Sequence, residues 1–209
     1  MANFPFINKK ISIDPKIKGS AELYITETES DAAAANVAGF PAIAFPNDMI
    51  NEENLNILLE ICSKSKRQFI ITFNKNPKRF GQIGFYLAQK GFSVFIIIMV
   101  DGAGGSNDLT EYFKNHQMSD FKALIKQSPS FIDVLIANLP ENFPAASLDI
   151  HEKILPVISK FDKAMAKHYV DAIKKRVGTT AKVIDEMLAD LKRQTKAADE
   201  VENDSSKDE

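Results

Sequence analysis

Short apolar runs alternate with segments of helical periodicity over roughly the first 120 residues. Residues 21–26, with Leu23, Tyr24 and Ile25, read as a strand. Ser30 or Asp31 offers a side-chain oxygen to cap a helix over 32–38, and Gly39 ends it. Residues 41–46 form a short buried strand bounded by prolines. Leu55, Ile57, Leu58, Leu59 and Ile61 give 51–63 a helical pattern. Residues 69–73 form a continuous apolar strand, 80–90 a helix stopped by Gly91, and 94–100 the most apolar strand of the chain. The lack of alternation in 94–100 predicts a central strand covered on both faces. Ile11-Ser12-Ile13 alternates and predicts a short edge strand. Strands alternating with helices predict a parallel sheet, whose functional edge lies at the carboxyl ends of its strands. Glu27, Asn74 and Asp101 all stand at such ends.

From about Phe121 only helical patterns remain. One helix begins over 130–136. A second spans 150–158, with Pro156 inside it as a kink or break. A third spans 161–177, where Phe161, Met165, Tyr169, Ile173 and Val177 recur every fourth residue, and Gly178 closes it. Thr179 or Thr180 caps a fourth that ends near Arg193. The expected organisation is an N-terminal extension (1–20), an α/β domain (21–128), a small helical subdomain (129–194) and an acidic tail (195–209). No internal repeat is visible.

Composition narrows the classes. A chain of 209 residues with 44% hydrophobic content can bury a core as one domain, or one domain plus a small subdomain. No run of eighteen apolar residues predicts a membrane span. Met1-Ala2-Asn3-Phe4-Pro5-Phe6 lacks the basic start and apolar stretch of a secretory signal. The single cysteine, Cys62, excludes an internal disulfide and a cysteine-rich zinc site, and is expected to be a small buried side chain in a reducing cytoplasm. The net charge of −2 hides an asymmetry: residues 198–209 hold six acidic groups and Lys207, so the totals of 26 basic and 28 acidic become 25 and 22 in the body. A weakly basic body is compatible with nucleic acid. The acidic tail has almost nothing to bury and is expected to be disordered.

The candidate chemistry lies in carboxylates that follow strands. Glu27 and Asp31 flank the first helix, Asp101 follows the most apolar strand, and Asp108 and Glu111 open the next helix. Magnesium needs hard oxygen donors and keeps several waters, so a few carboxylates suffice. Each residue alone also has a structural reading: Asp31 and Asp108 as helix caps, and Asp101 as a turn former before Gly102. Glu27, closing an apolar strand, is the least easily explained that way. Lys64, Lys66 and Arg67, and again Lys174, Lys175 and Arg176, suit the negative end of a helix dipole, or contact phosphates. His116, His151 and His168 are scattered, and His168 beside Tyr169 reads as packing or surface. Gly102-Ala103-Gly104-Gly105-Ser106 lacks the spacing of a dinucleotide or P-loop fingerprint. No Ser/His/Asp arrangement is legible.

The order of these motifs resembles the Toprim domain of DnaG-type DNA primases. Ile25-Thr26-Glu27-Thr28-Glu29-Ser30-Asp31, then Ala38-Gly39-Phe40-Pro41-Ala42-Ile43-Ala44, is similar to the Toprim opening, with Thr28 where glycine is usual. Ile98-Met99-Val100-Asp101-Gly102 and Asp108-Leu109-Thr110-Glu111-Tyr112-Phe113 resemble its closing motif. Ile154-Leu155-Pro156-Val157-Ile158 and the segment around His168-Tyr169-Val170 resemble the helical part that follows Toprim in primases.

The resemblance implies a Rossmann-like, mostly parallel four-stranded sheet followed by a helical bundle, a role in DNA replication, and magnesium as cofactor. By position, Glu27 and Asp31 match the first acidic motif, with Glu27 the candidate general acid or base. Asp108 matches the last, with Glu111 a weaker match, and Asp101 sits beside it. Asn74 and Asn76 stand where the family carries an Asp-x-Asp metal motif. An asparagine carbonyl touches a cation without neutralising it, and a unit charge pair at 4 Å is worth ~4 kcal/mol at an effective dielectric near 20. Two lost charges therefore predict much weaker metal binding and impaired phosphoryl transfer. Lys75, Lys78 and Arg79 would put fixed positive charge there and could hold phosphate directly.

Family primases also carry a zinc-binding domain and a further polymerase part ahead of Toprim, which one cysteine and three histidines cannot supply, so no zinc is expected. The implied partners are DNA or RNA, single-stranded by preference, through Lys75, Lys78, Arg79, Lys174, Lys175 and Arg176, or a replication protein. The alternatives are an active magnesium-dependent primase fragment completed by separate zinc-binding and polymerase parts, or a Toprim nuclease.

Overall fold

The computed structural model describes residues 20–45, 51–62, 67–73, 77–98 and 108–205. Four strands, β1 (Glu22–Thr26), β2 (Ala42–Ala44), β3 (Gln68–Phe73) and β4 (Ser93–Ile98), form an all-parallel sheet in the order β2-β1-β3-β4. Tyr24 pairs with Ala42 on one side and Ile70 on the other, and Thr26 pairs with Ala44 and Thr72. The crossovers are helices α1 (Glu29–Val37), α2 (Glu52–Cys62) and α3 (Pro77–Gln89). The chain leaves β1 toward β2, then returns past β1 to β3 and on to β4. Right-handed crossovers on that path set α1 on one face of the sheet and α2 and α3 on the other.

Alternate strand residues serve the two faces. Tyr24, Ile70 and Ile97 pack with Ala32 and Ala35 of α1. Leu109 and Tyr112 of α4 (Leu109–Asn115) and Phe121 of α5 (Met118–Gln127) complete that cluster. Its aromatic centre is Phe40, 4.9 Å from Phe121 and 5.3 Å from Tyr24, both edge-on. On the other face Leu23, Ile25, Phe69, Ile71, Val94 and Ile96 are buried, as are Leu55 and Leu58 of α2 and Ile83 and Leu87 of α3.

Several expectations need correction. The apolar run at 94–100 is not central, because β4 is the outermost strand on its side. Its outer edge is met by the segment before α6 (Phe131–Ala137): Ile96 N–H donates to the Pro129 carbonyl at 3.1 Å, and Phe95 and Ser130 form an antiparallel bridge. An unbroken apolar run reports burial of both faces, which an edge strand so covered also has. The cap of α1 is neither Ser30 nor Asp31 but Thr28, whose hydroxyl oxygen accepts Asp31 N–H at 3.2 Å. Gly39 does end this helix: at φ +87° it lets Gly39 N–H reach the Asn36 carbonyl and Phe40 N–H the Ala35 carbonyl, the paired bonds of a Schellman turn. Helix α3 starts earlier than expected, at Pro77, a residue suited to a first turn because its missing N–H would be unsatisfied there. The strand expected at 11–13 lies outside the described residues.

The chain divides into two compact units. One comprises Met1–Ala88 and Phe92–Phe131; the other comprises Ile132–Glu209 and Gln89–Gly91. The second unit holds α7 (Phe143–Asp149), a π-helical turn (Ile150–Ile154), α8 (Leu155–Ile158), α9 (Lys163–Val177) and α10 (Ala181–Ser205). Helix α7 was not expected. Asn142 caps it through the Ala145 amide at 3.0 Å, and Pro144 sits in its first turn. Pro156 does not break the helical path. Leu155 N–H reaches back to the Ile150 carbonyl, so the turn ahead of the proline widens to a π-turn and absorbs the steric demand of its ring. Helix α9 is capped by Asp162 and closed by Gly178 at φ +69°. It buries Ala166, Tyr169, Val170, Ile173 and Val177, whereas Met165 of the every-fourth-residue series is exposed.

Helix α10 runs past Arg193 to Ser205, so the backbone of the segment expected to be disordered is helical that far. Its Ala, Glu, Lys, Gln and Arg residues favour helix, and an established helix extends at little cost. Low hydrophobicity argues only against a packed core. Among the described residues no helix is long and apolar enough to cross a membrane.

Candidate functional site at the carboxyl ends of the strands

The connections from β1 and to β3 lie on opposite faces of the sheet, so the crevice of this fold opens at the carboxyl ends of these two neighbours. Two buried threonines close them. Thr26 Oγ1 lies 2.9 Å from the Thr28 carbonyl and 3.3 Å from that of Ile43, and Thr72 Oγ1 donates to the Ile25 carbonyl at 3.3 Å. These bonds satisfy hydroxyls held away from water and fix the strand ends. Glu27 follows directly, half-buried.

Asp31, in the first turn of α1, is only 3% exposed, and its carboxylate has three donors. Thr28 Oγ1 donates to Oδ2 at 2.8 Å. Thr110 N–H and Oγ1 approach Oδ1 at 3.2 and 3.4 Å. The Thr28 proton is committed to Asp31, so Ser30 Oγ, 3.0 Å away, is the donor in its contact with Thr28. Thr110 belongs to the first turn of α4, where amides have no partner within the helix. The next amide, Glu111 N–H, donates to Asp108 Oδ1 at 2.7 Å. Two carboxylates distant in sequence thus bind consecutive amides of one helix start, where the helix dipole also favours negative charge. Asp31 fastens α1 to α4, and Asp108 is the α4 cap.

Among the sequence-predicted residues, the structure therefore brings together Asp31 and Asp108 at the start of α4, with Glu27 at the end of β1. The Glu111 side chain is exposed. Asn74, Lys75, Asn76 and Asp101 lie outside the described residues, while Lys78 and Arg79 fall in the first turn of α3. Lys174 and Lys175 are exposed in the last turn of α9. Arg176 is engaged within its own unit: Nε donates to the Leu139 carbonyl at 2.9 Å and Nη1 to Glu141 at 3.1 Å. Neither Thr28 nor Thr110 stands out in the sequence as a partner for a carboxylate. The Thr28-x-x-Asp31 spacing, that of a capping box, was the available signal for the first.

No family model matches this chain, and no curated protein matches it. Solved structures do. The zinc-binding and RNA polymerase domains of the Aquifex aeolicus primase superpose with a TM-score of 0.55 at 13% identity, over 80% of this chain and 40% of that one. The fold is primase-like. The Escherichia coli primase catalytic core gives 0.55 at 13% identity, over 77% and 53% of the two chains. The RNA polymerase domain of Mycobacterium tuberculosis primase DnaG, solved with double-stranded DNA, gives 0.50 at 17%, over 79% and 54%. The chain thus spans about half the length of these primase cores or less, and at such identity the likeness is one of fold. Within the primase-like sheet, the described carboxylates sit at strand and helix ends, and no group of three His, Cys, Asp or Glu side chains able to hold a metal occurs among the described residues.

Proposed function

We propose that this chain is a primase-like Toprim protein of DNA replication whose metal-dependent catalysis has degenerated, and that it acts by binding nucleic acid or a replication partner. The observation that carries this reading is the use made of Asp31: both its oxygens are taken by Thr28 and Thr110, in a fold similar to primase cores. One oxygen of Asp108, Oδ1, is engaged in a helix cap. Asn74 and Asn76 bring carbonyls without charge where a divalent ion needs anionic oxygen. This donor set does not fit a tightly held magnesium ion.

Calorimetric titration of magnesium and manganese into the chain, beside Glu27→Gln, tests the reading. We expect no binding up to ~10 mM, far weaker than a working carboxylate site provides. Sub-millimolar binding abolished by Glu27→Gln would reinstate the enzyme reading and sink this one.

A further inference from the structure

The second unit carries an unbalanced basic row along α9. Lys163, Lys167, Lys174 and Lys175 are exposed and form no ion pair among the described residues. Elsewhere in the unit Lys153 pairs with Asp149, Arg176 with Glu141, Lys182 with Glu186 and Arg193 with Asp190. At about 100° per residue, Lys163, Lys167 and Lys174 fall within about 40° of one another around the helix and span about 16 Å along it. The buried stripe of Ala166, Tyr169, Val170, Ile173 and Val177 fixes the helix rotation, and the row runs along the edge of that stripe beside Val170, its lysines exposed. Asp171 lies beside it, about 40° from Lys167 and also exposed. Asp162, before the row, is occupied as the cap, accepting Met165 N–H at 2.9 Å.

We propose that this α9 row is a sequence-independent contact for the phosphate backbone of nucleic acid. The proposal rests on, and deepens, the nucleic-acid reading above, and it relocates the basic site: Arg176 holds the Leu139 carbonyl, and Lys163 and Lys167 take its place. A row of exposed lysines on one helix face, without ion pairs among the described residues, complements a polyanion. Lysine, a compact charge on a flexible stem, supplies such contacts without reading bases.

The test uses the full chain and a labelled, mixed-sequence single-stranded oligonucleotide, with affinity followed across a salt series by fluorescence anisotropy. Each phosphate contact contributes about 0.7 to the slope of log K against log salt for single strands. The triple substitution Lys163→Ala, Lys167→Ala, Lys174→Ala should therefore flatten the slope by about 2, with unchanged circular dichroism because alanine favours helix. Lys182→Ala, on α10, should leave the slope alone, and Asp171→Asn should tighten binding at low salt.

If the unaltered chain binds and the triple variant keeps its slope, the row is refuted while the nucleic-acid reading stands. If the unaltered chain binds neither single- nor double-stranded oligonucleotides, both fail. Lysine-dependent binding to phosphatidylserine vesicles without oligonucleotide binding would overturn the assignment in favour of a lipid surface.

Discussion

Asp31 receives Thr28 Oγ1 at 2.8 Å and Thr110 N–H at 3.2 Å while almost fully buried. Removing the carboxylate strands a hydroxyl and an amide that water reaches poorly, a penalty of about 1–3 kcal/mol. Asp31→Ala should therefore lower the urea midpoint by that equivalent with an unchanged m-value, and Thr110→Ala by less, since its amide remains. If Asp31→Ala left the midpoint where it was, Asp31 would not be a fastener and a ligand role would return. The position of this residue was legible in the sequence as the end of an acidic motif, but its partner was not. Thr110 lies 79 residues further along the chain, and only the packing of α1 against α4 brings the two together. Arg176 shows the same limit: its partners Leu139 and Glu141 lie 37 and 35 residues away, and only the fold brings them to it.

Elements whose own pattern decides them were legible. The strands at 22–26 and 68–73, the Gly39 and Gly178 helix ends and the parallel pairing follow from local chemistry and alternation. The place of β4 in the sheet was not legible, because an apolar run records what covers its faces and says nothing about its neighbours. The π-turn before Pro156 escaped for a related reason: proline dictates that the helix must adjust, not how.

Two glycines of α3 make a paired test at this scale. A Cβ on Gly84 would lie 2.8 Å from the Phe131 ring, itself buried, whereas one on Gly81 would meet nothing within 4 Å. Gly81→Ala should stabilise the protein by up to ~1 kcal/mol through helix propensity. At Gly84 the same gain is opposed by overpacking of typically 1–3 kcal/mol, so Gly84→Ala should be destabilising. Thermal midpoints moving in opposite directions would bear out the close approach of α3 to Phe131. A shift of the same sign would show that the ring yields.

Across the whole molecule, each of the two compact units has its own set of buried residues. The sheet and its helices hold one, with Ile25, Ile70 and Ile71 at its centre; Ile150, Leu155, Ile158, Ile173 and Ile184 hold the other. Each unit is compact in itself, so each has the makings of its own cooperative block, opening with its own free energy. Ile173 is fully buried on α9. Ile173→Ala removes three methyl-sized groups and leaves a cavity, a change that costs about 2–5 kcal/mol in a well-packed core. In native-state hydrogen exchange that loss should appear as faster exchange of amides in α8, α9 and the first half of α10, with β1 and β3 amides such as Ile25 and Ile71 unchanged. Equal acceleration in both sets would mean the chain opens as one block. Selective acceleration would also permit the α9 row to be tested by substitutions without disturbing the strand ends, so that a change in nucleic-acid affinity could be assigned to α9 itself.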